Sequence, residues 1–113
     1  METGDLRQFT VRFEDVSSAQ AAEKIKVLRE EVLDASSDIK GEIRKDNPST
    51  LDFGATLVLV LAAPAVVELA KAVKAYMGRE REGTLTIEEN GKVIFRGNSA
   101  DAAKIASAFA KGK

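Results

Sequence analysis

The sequence predicts an α+β fold in the order β-α-β-α-β-β-α: a small mixed four-stranded sheet with helices on one face, forming a single domain over residues 1–113. Three observations carry this expectation. Phe9, Val11 and Phe13 alternate with polar neighbours; Ala21, Ile25, Leu28 and Val32 recur at helical spacing; and Asn90-Gly91 joins two alternating runs. At 113 residues, 44% hydrophobic and 31% charged, the chain is long enough for one core without a disulfide or a metal. Cysteine and histidine are both absent from the sequence. Their absence excludes imidazole and thiolate metal sites, Ser/His and Cys/His nucleophile pairs, and histidine general bases.

The first strand is the alternating run from Gln8 to Glu14, with one face buried. Ser17 and Gln20 stand three apart, the spacing of a capping box, and open an amphipathic helix reaching about Ala35. Ile39, Gly41 and Ile43 alternate with Lys40, Glu42 and Arg44 as a second strand, and Asp46-Asn47-Pro48-Ser49 turns the chain. A right-handed crossover through the helix is expected to lay these two strands side by side and parallel. Further on, Thr84–Glu89 and Lys92–Arg96 flank Asn90-Gly91, the residues a type I′ turn needs for positive φ at both central positions. Leu85, Ile87, Val93 and Phe95 should share the buried face of that hairpin. Asn98 or Ser99 caps a last helix with Ala102, Ile105, Ala106 and Phe109 facing inward.

Between these elements lies a run from Phe53 to Val67 without a single charge. As a helix it would span about 22 Å, short of the roughly 30 Å of a bilayer core. The preferred reading is a long apolar central helix, extended to about Met77 and kinked near Pro64, where a continuous helix loses a hydrogen bond. Alternation of β-branched residues leaves a second reading open, in which 57–61 is a buried strand and Pro64 begins a separate helix. Leu69, Val73, Tyr76 and Met77 follow at helical spacing, with Gly78 as a stop and 79–82 as a charged connector.

Charge is nearly balanced at −1, with the first fifty residues at −3 and residues 71–113 at +4. No global field favours nucleic acid, and the sheet's polar face (Arg12, Lys40, Arg44, Lys92 and Arg96 among Glu14, Glu42 and Glu88) lacks exposed aromatics for base stacking. Cross-strand ion pairs on a wetted face are the plainer expectation there. Asp46, Asp52 and Glu68 flank the apolar run, but no partner converges on them, and Asp52 reads more simply as a helix N-terminal charge. The sequence matches neither phosphate-loop nor dinucleotide-binding spacing. The expectation is a protein that is not an enzyme, with no cofactor, no metal site and no nucleic acid. A cytoplasmic location is expected, since Met1–Asp5 carries no basic stretch leading into an apolar one.

The second half carries a resemblance. Ser49-Thr50-Leu51-Asp52, an alanine- and valine-rich segment ending Val73-Lys74-Ala75-Tyr76-Met77, the Arg79-Glu80-Arg81 step, Thr84-Leu85-Thr86-Ile87 with Gly91, and a closing alanine-rich helix follow in order. In this arrangement the chain resembles the effector-associated constant component family of bacterial multi-component conflict systems. The resemblance spans roughly residues 5–110 and matches best over 50–110. It implies a non-catalytic adaptor joining an effector, such as a protease or nuclease, to a sensing component, and it supplies no catalytic residue. Pro64, and the lack of an aromatic-rich helix end beyond Tyr76, depart from the family pattern.

Residues and resemblance together predict a protein-interaction module. Its candidate surface is Val58, Leu59, Val66, Leu69, Val73, Tyr76 and Met77, because Leu57 to Leu61 cannot all face one core stripe of a helix. The partner would be an effector or sensor protein of the same system, or a second copy in a homo-oligomer. An alternative function is peripheral membrane association, with 53–67 inserting and Lys71, Lys74, Arg79 and Arg81 against anionic headgroups.

Overall fold

In the computed structural model, which describes residues 6–45, 55–79 and 83–111, alternation becomes strand wherever one face can be buried. β1 (Leu6–Glu14) buries Phe9, Val11 and Phe13 as expected. α1 (Ser18–Ala35) opens with the expected capping box: the Gln20 N–H donates to Ser17 Oγ at 3.1 Å and the Ser17 N–H to Gln20 Oε1 at 3.2 Å. The helix buries Ala21, Ile25, Leu28 and Val32, the four residues its periodicity selects. β2 (Lys40–Lys45) follows. The turn expected at Asp46-Asn47-Pro48-Ser49 lies outside the described residues.

The apolar run departs from the preferred reading. Its described part is β3 (Ala55–Ala62), a strand, followed by a 3-10 turn over Ala63–Ala65 with Pro64 in its first turn, and then by α2 (Val66–Arg79). A single kinked helix is thereby replaced by two elements. Proline has no N–H to give a helix interior but is well placed in an opening turn, and Thr56, Val58 and Val60 are β-branched residues that pack readily on a pleated surface. Leu57, Leu59 and Leu61 face the helices, while Thr56 and Val58 are also buried on the opposite face. Double burial hides the period-2 signal that would otherwise announce a strand.

β4 (Thr84–Glu89) and β5 (Lys92–Gly97) form the predicted hairpin, with positive φ at Asn90 (55°) and Gly91 (82°). A bulge between Ile87 and Glu88 shifts the register, so Phe95 faces inward opposite Ile87 while Val93 pairs with Glu88 and is 51% exposed. The extra residue turns Val93 away from its expected buried place. The chain closes with a 3-10 stretch over Ser99–Lys104, capped by Asn98, and α3 (Ile105–Lys111). Ala102, Ile105 and Phe109 are buried; Ala106, expected inward, is exposed.

The sheet has five strands in the order β2-β3-β1-β4-β5, every neighbouring pair antiparallel. The α+β class stands; the four-stranded mixed sheet is corrected. β1 and β2 do run in the same direction across α1, but β3 lies between them. Likewise β3 and β4 share a direction across α2 with β1 between, so the molecule interleaves two split β-α-β units and adds a hairpin strand and a helix. All three helices pack against the face that presents Phe9, Leu59, Ile87 and Phe95, and one continuous core joins the two layers. Edge-to-face contacts of Phe9 with Phe109 (5.0 Å between centroids) and of Phe13 with Tyr76 (5.9 Å) tie α3 and α2 to β1.

Candidate functional site

The seven residues of the predicted interaction surface are all interior. Leu59, Leu69, Val73 and Met77 are fully buried, and Val58, Val66 and Tyr76 are less than a tenth exposed. The apolar excess that singled them out is absorbed by the fold itself, because β3 buries both its faces and α2 packs its Leu69, Val73, Tyr76 and Met77 stripe on the sheet and its neighbours. Within the described part of 53–67, Ala63, Pro64 and Val67 are exposed while most of the rest is buried, and no helix among the described residues is long and apolar enough to cross a membrane.

Of the carboxylates weighed for catalysis, Glu68 is exposed on α2, while Asp46 and Asp52 lie outside the described residues. No group of three or more potential metal ligands occurs among the described residues. The sheet's polar face carries ion pairs, as anticipated. Arg12 meets Glu88 at 2.8 Å and Glu14 at 3.5 Å, Arg96 meets Glu14 at 2.7 Å, and Arg44 meets Glu42 at 3.6 Å. The hydrogen bonds from Arg96, and then its charge and that of Arg12, hold the Glu14 carboxyl below its ordinary range against the opposing effect of burial. Arg96 is correspondingly held above its ordinary value, chiefly by the bond to Glu14.

Among the recesses formed by the described residues, two involve the last helix. The first, about 470 Å³, lies between the outer strand β5 and the last helical stretch, lined by Ile94, Phe95 and Arg96 on one wall and Lys104, Ser107 and Ala108 on the other. β5 is the edge of the sheet, so its outward backbone groups have no neighbouring strand among the described residues. The second, about 430 Å³, is a trough between α2 and α3, with Val66, Val67, Ala70 and Phe109 as floor and walls and Lys71 and Lys74 at the margin. Val67 is 57% exposed there.

Arg7 also lines the trough. Its Nε and Nη2 donate to the two carboxylate oxygens of Glu89, each at 2.8 Å, and Nη2 also reaches the Phe109 carbonyl at 3.3 Å. The guanidinium stacks over Phe9 at 5.0 Å. Hydrogen bonding to Glu89 raises the arginine's pKa, with burial opposing. Sequence reasoning passed over this pair, although a signal was there: Arg7 is in phase with Phe9 and Val11, and Glu89 with Leu85 and Ile87, so each is a charge on an inward face that requires a partner. The trough was equally legible in part, since Val67, Ala70, Lys71 and Lys74 form a second stripe on α2 beside the core stripe.

No family model matches the chain, and no curated protein matches it. Among solved structures, a de novo designed protein with a ferredoxin fold, determined by solution NMR, is similar with a TM-score of 0.47 and 11% identity, covering 77% of this chain and 86% of that one.

Proposed function

We propose that the chain is a non-catalytic protein-interaction module of adaptor type, in keeping with its resemblance to the effector-associated constant components of bacterial conflict systems. The observation that supports this reading is the recess along β5. An edge strand beside a helix is a site for strand addition: an extended segment of an effector or sensor protein pairs its backbone with β5, and alternate side chains fall against Ser107 and Ala108. β2, the other edge, is a poorer template, since Lys40, Glu42 and Arg44 crowd it with charge. The bulge that exposes Val93 leaves an apolar contact at the β5 margin for the arriving strand.

The test is selection from a displayed peptide library on the purified chain, with counter-selection on Ser107→Trp, which fills the recess from an exposed helix position and replaces no residue of the sheet. Enriched peptides should alternate apolar and polar residues and lose binding to the variant. Peptides that bind the variant equally well would place the partner elsewhere. Light scattering on the same preparation reads whether a second copy serves as the strand donor.

A further inference from the structure

We propose that the trough between α2 and α3 is a binding site for a free anionic amphiphile, a carboxylate carried on an unbranched alkyl chain. Its shape comes from two helices meeting over small residues. Ala70 and Ala106 keep the helices close without filling the space between them, and Val66, Val67 and Phe109 supply an apolar lining. The volume, about 430 Å³, falls in the range of small-molecule sites. Nine residues line it, which matches the scale of a small ligand.

Charge selects the head group. Arg7 is paired with Glu89, which leaves Lys71 and Lys74 as the other cations lining the trough. They lie three residues apart on the exposed side of α2, on the same stripe as Val67. Lys71 also borders Glu31, Asp34 and Glu68 on its other side, yet no ion pair holds either lysine among the described residues. An alkyl tail along Val67, Ala70 and Phe109 therefore brings its carboxylate to two lysines that no ion pair among the described residues holds. A cationic head would meet repulsion, and an uncharged one would forgo this contact.

The experiment is calorimetric titration of the purified chain with sodium decanoate below its micellar concentration, alongside decyltrimethylammonium and decanol. Decanoate should bind saturably at one per chain and more tightly than either analogue. Lys71→Glu with Lys74→Glu should weaken it by about tenfold or more, the milder Lys71→Gln with Lys74→Gln by less, and Ala106→Trp should abolish it by filling the trough. Melting curves confirm that each variant folds. Ser107→Trp, which blocks only the β5 recess, should bind decanoate as the parent chain does, so the two sites stand or fall separately. Equal binding of the cationic analogue, indifference to Ala106→Trp, or association with phosphatidylglycerol vesicles in the absence of any decanoate binding would each overturn the proposal.

Discussion

Leu59→Ala probes the element on which the architecture turns. Leu59 is fully buried in β3, with Phe9 of β1 as its partner on one side and Gly41 of β2 on the other. The absence of a side chain at Gly41 is what makes room for it: a Cβ there would lie 3.1 Å from Leu59 Cδ2, with Leu33 and Leu57 at 3.6 Å. Truncation opens a void between strands whose spacing is set by backbone hydrogen bonds and beside a glycine with no side chain to swing in. The site collapses poorly, so the cost belongs in the upper part of the usual large-to-small range, about 3–5 kcal/mol. At about 4 °C per kcal/mol for a domain of this size, the melting temperature should fall by about 12–20 °C. Gly41→Ala alone should be mildly destabilising, because Leu59 must give way by a few tenths of an ångström. In the Leu59→Ala background the same methyl enters the void, and the two changes should couple favourably by about 1 kcal/mol. Urea denaturation followed by far-UV circular dichroism measures all four corners of the cycle. A cost below about 1 kcal/mol for Leu59→Ala, or no coupling with Gly41→Ala, would refute the placement of β3 between β1 and β2.

Three further outcomes follow from the same geometry. Glu89→Gln leaves Arg7 charged and only 16% exposed at its side chain, and should cost about 2–4 kcal/mol in chemical denaturation, whereas Arg7→Met with Glu89→Leu should lie within about 1 kcal/mol of the parent. Because Glu14 titrates below its ordinary value of 4.5, its contribution is complete above that value and is lost as pH falls through the depressed one; the stability difference between the parent and Glu14→Gln should be largest near neutrality and vanish in acid, as urea melts across pH will show. Gly97→Ala would put a Cβ 2.8 Å from that of Asp101, displacing the carboxylate that accepts from the Asn98 N–H at 3.1 Å; the loss of this cap should cost about 1 kcal/mol and lower the melting temperature.

Much of the fold was legible because its signals are local. The Ser17 and Gln20 capping box, the four-residue stripe of α1, the alternation of β1 and the Asn90-Gly91 turn each depend on residues close in sequence, and each holds in the structure. The candidate site was legible only in fragments. Val67, Ala70, Lys71 and Lys74 share a helical stripe, but that α3 lies alongside them, presenting Ala106 and Phe109, is a fact of packing. Arg7 and Glu89 are 82 residues apart, and only their out-of-place charge hinted at a pairing.

By itself, then, the sequence determined the class of the fold, the capped first helix, the hairpin and its sharp turn, and the absence of thiol and imidazole chemistry, since these rest on composition and on periods of two and 3.6 residues. Tertiary structure alone decided that 55–62 is a strand with buried side chains on both faces, that it separates two strands expected to be neighbours, and that the most apolar residues of the chain are core rather than surface. A segment apolar on every side shows no periodicity to read; whether it becomes a helix or a strand depends on what is available to cover it, and here β1 and β2 cover its edges while the helices cover one of its faces.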